Sequence, residues 1–175
     1  MRPVVDSIAE KIEIEIDTDG YVPVMIESRF DSHENYVWRA FDGKSVCEFE
    51  FSLKDPRFCR LTVMATGCKL HECALEHLRS RKSETGVPIF RPLDGAKSVG
   101  SAHLYDSDEM LWIGFSEDRG EIAVRFSEES ASREIDSELG VAWGFGQGDA
   151  LVYVRVYECP PGMVANLIED ASFSR

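Results

Sequence analysis

The chain lacks any long apolar run: Arg, Glu or Gly breaks its longest hydrophobic windows every few positions. A membrane-spanning helix needs about 18 consecutive apolar residues, so no membrane role is expected. Base is scarce too, with 19 Lys and Arg against 32 Asp and Glu and a formal net charge of -13. Such a balance repels nucleic acid and anionic lipid and excludes both as partners. The five cysteines, Cys47, Cys59, Cys68, Cys73 and Cys159, are odd in number, and residues 1–6 carry no continuous apolar stretch of a secretory signal. A cytoplasmic location and no disulfide framework are therefore expected. No nucleophile-elbow Ser, two-histidine helical metal motif or Walker-type loop occurs, and no cofactor or catalytic residue is assigned.

The excess acid is concentrated. Residues 101–140 hold eleven Asp or Glu against three Arg, a net of -8, whereas residues 1–100 carry -3 and residues 141–175 carry -2. A segment this lopsided attracts cations and basic protein surfaces. Its densest part, Asp106, Asp108 and Glu109, follows Tyr105, with Trp112 and the turn residues Glu117 and Asp118 beyond. These seven residues are the candidate binding surface, with the aromatics as anchors and the carboxylates as the steering field. As a calcium loop the acidic triplet fails, because no glycine or distal Glu stands in register.

Length and composition fit a single globular domain over 1–175, and ten Phe, five Tyr and three Trp supply bulky core material. Ile12, Ile14 and Ile16 alternate with Glu13, Glu15 and Asp17, a strand with one wet face, and a turn at Asp17–Gly20 returns through Val22, Val24 and Ile26. Pro23 cannot donate to a ladder and puts this return strand at an edge or beside a bulge. A second hairpin spans Tyr36–Phe41 and Cys47–Leu53, and Phe58–Ala65 reads as a fifth strand. Met110–Phe115 pairs with Ile122–Phe126, and Val141–Phe145 with Leu151–Tyr157. Both parities of that last strand are apolar, which predicts a central position in its sheet.

Leu70, Cys73, Ala74, His77 and Leu78 fall at helical spacing and predict one firm helix over 69–82. Shorter helices are expected within 127–139 and 163–169, and residues 83–109 read as a long connection with a short strand around Ala102–Tyr105. No internal repeat is visible. The expected class is α+β with about nine strands, mainly antiparallel, as a bent sheet or partly open barrel.

Two further constellations bear on chemistry. Cys68, His71, Cys73 and His77 lie close in sequence, but zinc sites favour two separated pairs on turns, so no metal site is assigned. Gly144, Gly146 and Gly148 lead into a valine-rich strand rather than a helix, so they read as hairpin or bulge glycines and not as a phosphate cradle. The function expected is a non-enzymatic acidic protein docking on a basic protein partner, such as an intracellular inhibitor or immunity protein. The alternative is a small-molecule binder or enzyme with a barrel mouth lined by Trp38, Phe49, Phe51 and Tyr153.

Overall fold

The computed structural model describes residues 2–10, 13–19, 22–29, 35–41, 44–54, 56–65, 69–72, 75–80, 82–91, 97–99, 102–107 and 112–172. Among them are sixteen strands and one α-helix. The first half contributes β1 (Val4–Ala9), β2 (Ile14–Asp19), β3 (Val22–Ser28), β4 (Asn35–Phe41), β5 (Val46–Ser52) and β6 (Phe58–Met64). A connecting segment carries β7 (Leu70–Glu72), β8 (Ser83–Thr85), β9 (Val87–Arg91), β10 (Lys97–Val99) and β11 (Ala102–Ser107). The second half adds β12 (Trp112–Ser116), β13 (Glu121–Arg125), β14 (Arg133–Asp136), β15 (Val141–Phe145), β16 (Leu151–Val156) and the helix α1 (Met163–Ser172).

The expectation of nine strands in one bent sheet or barrel is corrected. The first large sheet has the order β10-β11-β4-β5-β6-β3-β2, the second β7-β12-β13-β16-β15-β14-β8, and β1 pairs with β9 in a small third sheet. Both large sheets are mixed, because β11, β7 and β8 pair in parallel with β4, β12 and β14. They pack face to face: Trp38 meets Phe126 edge-on at 5.1 Å between centroids, and Phe58 meets Trp143 at 5.3 Å. Phe90 of β9 closes one side of this core against Phe49, Phe51 and Phe145.

Strand order exposes a repeat that periodicity hid. β2 to β6 traverse the first sheet as 2-3-6-5-4, and β12 to β16 traverse the second as 12-13-16-15-14, the same walk through five antiparallel strands. In each unit the third strand, β4 or β14, takes a parallel neighbour from the connecting segment. The segment after each unit's last strand crosses to the other unit. A 3-10 turn at Leu75–Leu78 packs on β12 and β13, and α1 packs on β2 and β3. Asp170 of α1 also accepts the Ala65 N–H at 2.8 Å.

The hairpins stand where alternation puts them, with Ile14 and Ile16 half-buried between exposed Glu13 and Glu15. Pro23 lies where the β2–β3 register shifts between Asp17 and Asp19, so the missing donor falls at a bulge. β16 is buried along its whole length between β13 and β15. Helix placement is corrected. Leu75 and Leu78 are both buried, and their three-residue spacing is met by a 3-10 turn. Upstream, the edge of the second sheet captures Leu70–Glu72 as a parallel strand. Within 127–139, Arg133–Asp136 joins β15 as a strand, since Glu134 and Ile135 are buried on opposite faces. The short helix expected within 163–169 is present as α1, running Met163–Ser172, entered through Pro160, Pro161 and Gly162, with Met163, Val164 and Leu167 on its buried face. The long connection contains four strands, including the fully exposed Ser83–Thr85, whose residues carry no apolar alternation to read.

Candidate functional site

The outer face of the second sheet carries an ionic cluster that the fold has covered. Arg155 on β16 is 2% exposed, Glu121 on β13 is 5% exposed and Glu134 on β14 is 4% exposed. Arg155 Nη1 lies 3.9 Å from Glu121 Oε1, and Nη2 lies 3.6 Å from Glu134 Oε1. These are loose pairs. Among the described residues Arg155 Nε and Nη1 and Glu121 Oε2 make no hydrogen bond. Arg79 reaches Glu121 at 3.3 Å from the surface, and Arg155 stacks over the Tyr157 ring at 4.9 Å. The Tyr153 hydroxyl donates to Glu134, and that of Tyr157 to Asp136 at 2.5 Å. Burial first, and then the neighbouring carboxylate, pushes both phenols well above the ordinary tyrosine value.

Small residues make room for this layer. A Cβ on Gly144 would stand 2.1 Å from the Tyr153 ring, its cross-strand neighbour, so glycine here lets the phenol lie flat on the sheet. The β15–β16 register shifts between Gly144 and Phe145, the bulge expected from the glycine run. A Cβ on Gly146 would meet the Glu129 carboxylate at 2.5 Å. That carboxylate accepts the Gln147 N–H and pairs with Arg2 at 3.4 Å. The backbone donor, followed by Arg2, lowers its pKa below the ordinary value.

Beside the cluster opens a cleft of about 460 Å³ between the 78–80 and 129–132 segments, floored by Val152 and Tyr153. A second depression of about 270 Å³ is lined by Trp112, Ser127 and Glu128, and Arg125 borders both. Trp112 stacks on His71 at 5.3 Å.

The predicted binding residues are divided by the fold. Tyr105 and Asp106 are on β11 of the first sheet, where Asp106 accepts a 2.7 Å hydrogen bond from Arg39 and raises the arginine's pKa. Asp108 and Glu109 lie outside the described residues. Trp112 begins β12 in the second sheet, whereas Glu117 and Asp118 form the exposed turn beyond that strand's other end, five or more residues or about 17 Å away. Of the other acids in 101–140, Glu121 and Glu134 are buried and Glu129 is tied to Arg2. The central third thus does not present one continuous acidic face among the described residues.

A narrower acidic line does form, at the end of the second sheet that holds Glu117 and Asp118. Glu72 on β7 stands opposite Phe115, two residues before Glu117. Cys159 N–H donates to Gly120 O at 2.9 Å, bringing exposed Glu158 beside the turn. Tyr157 N–H donates to Gly140 O at 2.8 Å, which adds exposed Glu138. Among residues 70–72, 116–120, 138–140 and 157–159 the only Lys or Arg is Arg119. Glu138 and Glu158 both hold left-handed backbone, at φ 59° and 55°. That conformation costs a non-glycine residue about 1 kcal/mol or more. Sequence reasoning missed Glu72, Glu138 and Glu158 because strand register, and not chain proximity, unites them. It also missed the buried cluster; the one available signal was charge inside otherwise apolar strands, as at Arg155.

The barrel-mouth pocket is corrected. Trp38, Phe49 and Phe51 are fully buried between the sheets, while Tyr153 lies on the outer face of the second. Among the described residues no group of three or more His, Cys, Asp or Glu has the geometry to hold a metal ion. No helix among them is long and apolar enough to cross a membrane. The chain matches no protein-family model and no curated protein.

Proposed function

We propose that this is a binding protein, without catalytic activity of its own, that docks a cationic protein surface on the acidic end of the second sheet. The observation that carries the reading is the convergence of Glu72, Glu117, Asp118, Glu138 and Glu158 from four separate segments onto one line with a single arginine. Like charges gathered this way repel one another, and their field steers a basic partner into register. Strained backbone at Glu138 and Glu158 adds support, because glycine or asparagine would be cheaper at those φ values. A partner class that fits is a toxin whose nucleic-acid groove is positive, with the carboxylates standing in for phosphates, so that the protein acts as an intracellular inhibitor.

The test is affinity capture at low salt, followed by calorimetry on the captured protein. The triple variant Glu117→Lys, Asp118→Lys, Glu158→Lys is expected to weaken binding at least about tenfold, with affinity falling steeply as salt rises. Glu158→Gly separates docking from folding: it relieves the left-handed strain and raises stability by about 0.5–1 kcal/mol while removing a docking charge. A complex unchanged by both the reversals and salt rejects the proposal.

A further inference from the structure

Arg125 differs from eight other arginines of this acidic chain. Arg2, Arg29, Arg39, Arg60, Arg79, Arg91, Arg133 and Arg155 each face a carboxylate within 4.0 Å. Arg125 faces only carbonyl oxygens: its Nε donates to Ser127 O at 2.6 Å, and its Nη2 to Glu128 O at 2.6 Å and Glu129 O at 3.2 Å. Three backbone acceptors hold the guanidinium in one orientation, and among the described residues no carboxylate lies within 4.0 Å of it. Nη1 has no part in these bonds. A half-buried guanidinium with spare donors and no carboxylate among the described residues in ion-pair reach is an arrangement that recognises an oxyanion, through short charge-assisted hydrogen bonds.

Its position adds the rest of a site. Arg125 lines both depressions on the outer face, and Arg79 also lines the larger one. Ser80 and Ser130 add hydroxyls, while Leu78, Ala131 and Val152 give the larger depression an apolar side. The one carboxylate lining it, on Glu129, is already held by Arg2 and the Gln147 N–H. Pockets of a few hundred Å³ with an apolar lining and a few placed polar groups suit small organic ligands.

We infer that the cleft between residues 78–80 and 125–132 binds a small organic anion, its carboxylate or phosphate on Arg125 and its apolar body over Val152 and Leu78. This site lies at the other end of β12 and β13 from the acidic line and does not depend on the docking reading.

The experiment titrates the full chain with phenyl phosphate, benzoate, inorganic phosphate and neutral benzyl alcohol, following the Arg125 Nε–H resonance by NMR. The two organic anions are expected to shift that resonance and to saturate at about 1 mM or below. Comparing their affinities identifies the favoured headgroup. Arg125 also braces the 127–129 loop, so the deciding variants sit elsewhere. Ser130→Glu, at an exposed position, is expected to weaken binding about tenfold by placing a carboxylate in the cleft, and Glu128→Lys to tighten it several-fold. The inference is overturned if no organic anion moves Arg125 at about 10 mM, if benzyl alcohol binds as well as benzoate, or if Ser130→Glu leaves affinity unchanged. Inorganic phosphate binding as tightly as phenyl phosphate also overturns it, by removing the apolar half of the contact.

Discussion

The two large sheets share one strand order and differ in what covers their outer faces. On the first sheet, Glu27, Arg60 and Glu50 form one cross-strand row, and Glu48, Arg39 and Asp106 form another, each partly or largely exposed to water. On the second, the 3-10 turn and Arg79 lie over a cluster whose Arg155, Glu121 and Glu134 are almost fully buried. The same antiparallel scaffold therefore carries similar charges at very different energetic stakes. An exposed pair contributes about 0–1 kcal/mol, because water and salt screen it. A buried charge must be compensated in place, since desolvating it costs several kcal/mol. The two clefts described above lie on the covered face, and the open face carries the paired charges.

The largest contrast is expected from matched arginine substitutions. Arg155→Met should destabilise the protein by about 3–5 kcal/mol, because it strands Glu121 and Glu134 in the covered layer. Arg60→Met on the open face should cost less than about 1 kcal/mol. Urea unfolding of both variants measures the difference; equal losses would erase the distinction between the faces. Next in size is Gly144→Ala. The added methyl meets the Tyr153 ring and should cost about 1–3 kcal/mol, with a shift of Tyr153 visible in near-UV circular dichroism. The same substitution at a solvent-facing turn glycine with nothing near it, such as Gly162, would report only backbone strain at φ 87°.

The smallest effect concerns pH. Glu129 has a folded pKa below its ordinary 4.5, so its stabilising bonds are present above that value and lost as pH falls through the lower folded one. Glu129→Gln should lower stability at neutral pH, where those bonds are present, change little at the most acid pH, and so flatten the acid limb below about pH 4.5. Thermal melts between pH 3 and pH 7 read this directly.

Much of the strand pattern was legible because alternation is a local signal. Ile14 and Ile16 against Glu13 and Glu15, or the doubly apolar β16, state their burial without reference to the rest of the chain. Most of the connecting segment was not legible, since β7, β8 and β10 have three residues each, and β7 and β8 exist only as edges taken up by strands distant in sequence. The duplication was hidden for a related reason. Two units need only the same alternation and turns to fold alike, so Phe49 and Trp143 can fill equivalent central strands with no shared motif.

The sequence by itself determined a β-rich chain, its main hairpins and the concentration of acid in residues 101–140, because periodicity and composition act over a few neighbours. Only the tertiary structure decided which of those acids face water. Register across the second sheet buries Glu121 and Glu134 beside Arg155, binds Glu129 to Arg2, and gathers Glu117 and Asp118 with Glu72, Glu138 and Glu158. A side chain's charge belongs to its residue, but its field depends on burial and counter-charge, which strands far apart in the chain supply.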